Sequence, residues 1–394
     1  MRIAPARAPQ FRSQPLSRFG FARLVTDSKN LALRVRNAIS EASEVDFPFE
    51  ELALEIFEFQ FAHCEPYRKF AERRGQTPDA IEHWQDIPAV PTSAFKALDL
   101  TCSSPERIFL TSGTTAGKER RGRHLMPDLS LYRASALRQF RAMVLPDGAV
   151  PRIIGLMAGP ETLPDSSLVQ MVEWIREDLD GAPASYLVGD GPFDPASATA
   201  QLRSLALDSR PVCLIGVRAV FTALLDHLRI KKTQIEFAAN SRIVDTGGPK
   251  GGRTLSDAGF LRASWEHLGI PGYYCINEYG MTELSSQYYD NVLERRFAGS
   301  NAKRRKAAPP WLRSVAVDPE TLEVLPDGEA GLLRHLDLAN ALSLMAIQTE
   351  DLGVVDGEFL QLRGRLAGAE PRGCALALEH LLDSTKVASE TSRN

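Results

Sequence analysis

The sequence predicts an α/β fold in which a largely parallel sheet is flanked by helices and followed by a smaller β-rich region. Two observations predict it. From Ile108 onward, short apolar runs alternate with amphipathic segments of helical period: "RIIGLM" precedes "SSLVQMVEWIREDL", "SYLVG" precedes "DPASATAQLRSLAL", "VCLIGV" precedes "RAVFTALLDHLRI", and "SRIVDTGG" precedes "LSDAGFLRASWEHLG". After Asp290 that texture ends, and "RSVAVDPETLEVLPDGEAGLLRHLDL" reads as hairpins that turn at Asp318-Pro319 and at Pro326-Asp327-Gly328.

The N-terminal quarter reads as helical. From Leu24 to Glu44 and from Phe49 to Arg74, apolar residues recur at spacings of three and four with charges between them. "TPDAIEHW" predicts a further helix with Thr77 as cap and Pro78 in its first turn. "DIPAVPTSAFKAL" carries two prolines that a helix interior rejects, so it is an extended lead-in. "NAKRRKAAPPW" is a basic connection between the α/β body and the β-rich region.

At 394 residues, 44% hydrophobic and 24% charged, the chain is long enough to bury a large core. Its net charge of −4 gives no basic face for nucleic acid, so any anion site is local. The five cysteines are odd in number, dispersed and never spaced C-x-x-C, which argues against a disulfide framework or zinc site and fits a reducing cytoplasm. No apolar run reaches membrane-spanning length, and stable membrane association is not expected. The first residues are Arg-rich and carry no acid before Asp27, a composition shared with organelle transit peptides, although a frayed basic arm is the preferred reading.

The candidate site begins at "TSGTTAGK", residues 111–118, directly after the apolar run Arg107-Ile108-Phe109-Leu110. Hydroxyls, glycines and one lysine are the groups that hold phosphate. A kinase-type loop requires G-x-x-x-x-G-K-[ST]. Here Gly113 and Gly117 enclose only three residues, and Lys118 is followed by Glu119 instead of a metal-binding hydroxyl. "DTGGPKGG" also follows an apolar run, so both stretches are expected at strand ends, where ligands of α/β sheets bind. His124, just past the first loop, is read as a surface residue.

Three further stretches follow in order: "INEYGMTE" at Ile276 to Glu283, "TEDLG" at Thr349 to Gly353, and "LRGR" at Leu362 to Arg365. With "TSGTTAGK" they resemble the ordered motifs of the adenylate-forming superfamily of acyl-CoA synthetases, luciferases and peptide-synthetase adenylation domains. "FEFQFAHCEPYRKF", "IPAVPTSAFK", "DTGGPKG", "DPETLEVLPDGEAGLL" and "GRLAGAEPRGCAL" narrow the resemblance to the LuxE-like acyl-protein synthetase family, over nearly the whole chain after about residue 45.

The resemblance implies that a carboxylic acid attacks the α-phosphorus of ATP, with Mg²⁺ as partner, giving an acyl-adenylate and pyrophosphate. It implies that Thr111, Ser112, Gly113, Thr114, Thr115, Gly117 and Lys118 cradle the β- and γ-phosphates. Thr282 matches the threonine on the α-phosphate, Glu283 the Mg²⁺ ligand, Asp351 the acid that accepts both ribose hydroxyls, and Arg365 the hinge arginine. Adenine would lie against Gly247-Gly248-Pro249 and Tyr279. Taken singly, each has a plainer role: Thr282 as a helix cap, Glu283 as a first-turn acid, Asp351 as a turn residue.

The same resemblance divides the chain into a helical segment and lead-in (1–100), an ATP-binding α/β core (101–290), a β-rich region ending at the hinge (291–365) and a short C-terminal segment (366–394). That last segment is much smaller than the C-terminal domain of full-length adenylate-forming enzymes. It holds "RGCALALEHLL", whose Cys374 stands where the family's acyl-accepting cysteine is found. An ordinary thiol is only about 3% ionised at pH 7, and the neighbouring Arg372 would favour the thiolate. Cys64, Cys102, Cys213 and Cys275 are read as structural. The implied activity is self-acylation at Cys374 and delivery to an acyl reductase. A ligase serving coenzyme A, a carrier protein or an amine, and a non-catalytic nucleotide-binding scaffold, are the alternatives.

Overall fold

A computed structural model describes residues 27–42, 46–111, 121–179, 185–247, 255–301 and 303–366. The chain opens on α1 (Ser28–Glu41), α2 (Phe49–His63) and α3 (Glu65–Arg73). In α1 the apolar positions Leu31, Ala32, Val35 and Ile39 form one buried face, as their spacing predicts. The helical stretch from Phe49 to Arg74 is two helices. Pro66 has no N–H and cannot sit inside a helix, so the backbone breaks at Cys64 and Pro66 lies in the first turn of α3.

The helix expected after Thr77 does not form. The N–H groups of Ala80 and Ile81 close one turn on the Thr77 carbonyl, and the chain then leaves. Tertiary contacts decide this: Trp84 packs edge-on against Phe49 and gives its backbone N–H to Glu50, which pulls the segment into a 3₁₀ turn at Trp84–Asp86. The lead-in is extended at β1 (Val90–Pro91) and then turns as a 3₁₀ segment, Thr92–Lys96.

Next comes a hairpin of β2 (Arg107–Leu110) and β3 (Arg123–Met126), followed by α4 (Leu129–Val144), whose first turn is capped by the Asp128 carboxylate. The predicted alternation then appears: β4 (Arg152–Ala158), α5 (Ser167–Leu179), β5 (Ser185–Val188), α6 (Pro195–Ala206), β6 (Val212–Val217), α7 (Arg218–Ile230), β7 (Arg242–Thr246), α8 (Asp257–Leu268) and β8 (Cys275–Tyr279). After it come β9 (Tyr288–Asp290), α9 (Val292–Phe297), β10 (Lys306–Ala307), β11 (Leu312–Val317), β12 (Ala330–Asp337), β13 (Ala346–Asp356) and β14 (Phe359–Arg365).

Apart from the hairpin, the described strands form one sheet, in the order β11-β12-β13-β14-β10-β9-β8-β7-β6-β4-β5 with β1 beside β13. Strands β5, β4, β6, β7 and β8 are parallel. From β8 to β9, and on through β10 and β14 to β11, every pairing is antiparallel. β6 and β4 approach so closely that a Cβ at Gly216 would collide with the backbone oxygen of Leu156.

One apolar core lies between α1–α3 and the antiparallel wing, and a second between the parallel strands and α4–α8. Buried Gln60 stitches the first core together. Its amide nitrogen donates to the carbonyls of Asn340 and Ala341, and its amide oxygen accepts the N–H of Met345. In the second core the fully buried Arg242 forms a bidentate pair with Asp147, at 3.0 and 2.8 Å, and donates to the Val144 carbonyl.

Candidate active site

Six of the candidate residues lie among the described ones around the end of β8. Tyr279 closes β8, and the β7–β8 register pairs Thr246 with Glu278, so Gly247 follows beside Tyr279. Gly247 has φ +78°, a conformation that favours glycine and lets the chain leave the strand sharply. Thr282 and Glu283 form a tight turn in which the Leu284 N–H bonds the Met281 carbonyl. They are not in a helix, so the roles of cap and first-turn acid do not apply.

Asp351 lies within β13 rather than in a turn, directly across from Arg365 of β14. The Tyr279 hydroxyl donates to Asp351 Oδ2 at 2.8 Å, joining motifs 72 residues apart. The Arg365 guanidinium pairs with Glu350, Nη2 to Oε2 at 2.7 Å. Burial raises the Glu283 carboxyl to about 7, against the opposing pull of its own backbone N–H and of the Arg365 charge. Asp351, which raises it further, and Lys96 are its other charged neighbours.

A second buried acid, Glu278, accepts a short hydrogen bond from Thr246 and is likewise pushed to about 7 by burial. Behind it runs an ionic network. Arg218 Nε donates to Asp245 at 2.5 Å, Asn277 Nδ2 donates to the same carboxylate at 2.7 Å, and Lys306 joins the Asn277 side chain to Asp290.

Thr111 is the described end of the first loop. Its N–H donates to the Gly122 carbonyl at 2.9 Å and its hydroxyl accepts the Gly122 N–H at 2.8 Å, so the pairing of the hairpin continues past Leu110 and Arg123. Arg121 adds bonds to the carbonyls of Thr111 and Leu110. The loop follows a strand, as expected, but that strand belongs to an antiparallel hairpin outside the parallel sheet. Ser112, Gly113, Thr114, Thr115, Gly117, Lys118, Gly248 and Cys374 lie outside the described residues, as does the Arg-rich N-terminus.

His124 is not a surface residue. It is 1% exposed, with Nδ1 2.7 Å from the Thr282 carbonyl oxygen and Nε2 2.9 Å from Ser343 Oγ. The carbonyl can only accept, so Nδ1 carries the proton and the ring is neutral; burial lowers its basicity to about 4. His124 thus ties the hairpin to the Thr282 turn. The same turn is held from below by Asp337, whose carboxylate accepts from Ser285 N, Ser286 N, Ser286 Oγ and Ala339 N. Burial pushes Asp337 up to about 6, and these donors oppose it. Asn340 completes the clamp by donating to the Glu283 carbonyl.

No three His, Cys, Asp or Glu side chains among the described residues converge to hold a metal by themselves. Glu283 fits a different arrangement: a single buried carboxyl with a raised proton affinity, which a divalent cation shared with phosphate oxygens would return to its charged form. Cys64, Cys213 and Cys275 are buried, Cys102 is half-buried, and all four are free. Burial raises all four thiols above their ordinary range, which is the environment of unreactive cysteine. No helix among the described residues is long and apolar enough to cross a membrane.

The model of a family described as "Acyl-protein synthetase, LuxE" matches residues 23–383. The chain is similar to the long-chain-fatty-acid–luciferin-component ligase of Aliivibrio fischeri, with 25% identity over 88% of this chain and 96% of the relative. The ligase of the same name from Vibrio harveyi is 23% identical over 82% of this chain and 85% of the relative. Among solved structures, it resembles an open conformation of 2-hydroxyisobutyryl-CoA ligase in complex with 2-HIB-AMP and CoA. The TM-score is 0.57 and the identity 16%, over 84% of this chain and 83% of that chain. The same ligase in its postadenylation state gives a TM-score of 0.55 at 15% identity, over 80% of this chain and 68% of that chain. At such identities the likeness is one of fold.

Proposed function

The chain belongs to the LuxE acyl-protein synthetase family and is an acid-activating ligase, and from that premise we propose that it makes an acyl-adenylate from ATP and a fatty acid, then loads the acyl group on its own Cys374. The observation that carries the proposal is the convergence of Tyr279, Glu283, Asp351 and Arg365, from three separate motifs, around one buried carboxyl and one strand pair.

In the first half-reaction a carboxylate oxygen of the acid attacks the α-phosphorus, and the bond to pyrophosphate breaks. Residues 111–118 hold the departing phosphates and Thr282 holds the α-phosphate. Asp351 and Arg365 hold the ribose, and adenine rests on Gly247, Gly248 and the half-buried ring of Tyr279. Glu283 would be the protein ligand of Mg²⁺, which supplies charge neutralisation between the phosphates when bound. The protein's part is preorganisation: the Thr282 turn is fixed by His124, Asp337 and Asn340 before any substrate arrives.

In the second half-reaction the Cys374 thiolate attacks the acyl carbon, and AMP leaves. The four described cysteines are unsuited to that step, being shielded by burial. A long-chain acid is the class named for both bacterial relatives, and the luciferin-component part of those names supports an acyl-reducing partner.

Intact-mass measurement after incubation with ATP, Mg²⁺ and palmitate tests the whole scheme. The expected result is a hydroxylamine-labile acyl adduct that disappears in Cys374→Ser. Acyl-adenylate without an adduct overturns the self-acylation step. Absence of AMP formation with every acid tried overturns the function.

A further inference from the structure

Three aromatic rings pack beside Asp351: Tyr279, Tyr288 and His335, with centroid separations of 5.7, 5.8 and 5.6 Å. His335 comes from a strand that is not a neighbour of the two that carry the tyrosines. Tyr279 and Tyr288 face each other across β8 and β9, while His335 faces Ser314 across β12 and β11. Strands β13, β14 and β10 lie between β12 and β9, so the sheet curves to bring these side chains together.

The proton positions follow from the donors available. Tyr279 gives its hydroxyl proton to Asp351 Oδ2 at 2.8 Å. The Tyr279 oxygen lies 3.2 Å from His335 Nε2, so that nitrogen carries the proton and donates to it. His335 Nδ1 is then bare and accepts from Ser314 Oγ at 2.6 Å. The Ser314 oxygen in turn accepts from the Tyr288 hydroxyl in a short hydrogen bond. Every bond points the same way, from Tyr288, whose hydroxyl also lies 3.2 Å from His335 Nδ1, through Ser314, His335 and Tyr279 to Asp351. Chains of this kind polarise each bond in the direction of the terminal acceptor.

We propose that His335 is a positioning residue for nucleotide recognition. By committing the Tyr279 hydroxyl to Asp351, it sets the direction in which that carboxylate faces the ribose hydroxyls. The inference rests on the assignment of Asp351 to the ribose under the proposed function. His335 is itself fully buried and reaches the site only through Tyr279.

The test compares dissociation constants for MgATP and for its 2′-deoxy analogue in the full-length protein. The wild-type protein is expected to prefer ATP by about tenfold, the scale of a hydrogen bond to a charged group. His335→Leu and Ser314→Ala are expected to weaken ATP binding while leaving the deoxy nucleotide within about twofold, so the preference shrinks, and Tyr279→Phe, which keeps the ring but loses the hydroxyl, is expected to shrink it as well. His335→Gln, which returns an N–H toward Tyr279, is expected to recover most of it. The KM for the acid is expected to stay unchanged.

A wild-type preference that survives in all three variants overturns the inference alone. Equal affinity of the wild-type protein for both nucleotides removes Asp351 from the ribose and overturns the inference together with that assignment. If His335→Leu fails to fold, Tyr279→Phe, which keeps the ring, and Ser314→Ala decide the question.

Discussion

His124 Nδ1 lies 2.7 Å from the carbonyl oxygen of Thr282, across 158 residues of sequence. This bond joins the hairpin that begins and ends the proposed phosphate-holding segment to the turn that carries Thr282 and Glu283. His124→Ala is expected to leave the Thr282 carbonyl buried without its His124 partner, while the Ser343 hydroxyl keeps a bond to the Asn340 carbonyl at 3.4 Å. The cost is about 1–3 kcal/mol for the abandoned carbonyl, read as a lowered urea midpoint. Acid-dependent pyrophosphate exchange is expected to fall in parallel, because the two segments proposed to hold phosphate lose their common register.

The two buried histidines also set an acid limit. Burial lowers His124 to about 4 and His335 to about 3, from an ordinary value of 6.5. Both remain neutral in the folded protein while the unfolded chain takes up protons below 6.5. Their stabilisation is therefore complete above that pH and is lost as pH falls toward 4 and 3. By pH 5 the loss is roughly 2 kcal/mol per histidine. Urea titrations at pH 7.5 and pH 5 measure it, and His335→Gln is expected to show a correspondingly shallower decline.

Glu283 has the opposite sign. Its folded-state carboxyl is raised from 4.5 to about 7, so its contribution is fully present below 4.5 and is lost as pH rises through 7. In the absence of nucleotide and Mg²⁺, Glu283→Gln is expected to gain stability over the wild type by roughly 3 kcal/mol between pH 4.5 and pH 8. The same variant is expected to lose adenylation. A thermal-melting series across that pH range, paired with pyrophosphate exchange, separates the two effects and exposes a trade of stability for function.

Arg218 and Asp245 form a buried pair whose removal by halves is costly. Arg218→Met leaves the Asp245 carboxylate with Asn277 as its remaining side-chain hydrogen-bond donor among the described residues. A loss of about 3–5 kcal/mol is expected. Arg218→Met combined with Asp245→Asn is expected to recover much of it, which a double-mutant cycle measures.

The four strand-helix units were legible because their signals are local. The apolar period of each run lies within the element it defines. The order of motifs likewise indicated which residues to bring together, and Tyr279, Glu283, Asp351 and Arg365 do lie in one region. Thr77 misled because its cap and proline are real signals that the Trp84 contacts override. His124 and His335 were not legible, since alternation in a strand shows only that a side faces inward. Their partners, Thr282, Ser343, Ser314 and the two tyrosines, come from other elements. The fusion of the β-rich strands with the parallel sheet depends on β10, Lys306–Ala307, a pairing too short to leave any pattern.

Gln60 bonds Asn340, Ala341 and Met345, and Val90 pairs with Ile347 on the strand that carries Asp351. The consequence is temporal. During synthesis, α1–α3 leave the ribosome long before the strand that covers them, and their apolar faces stay exposed until residues near 347 have emerged. The site on β13 is therefore assembled late, by a closure across 285 residues of sequence, so its birth waits on contacts between segments made far apart in time.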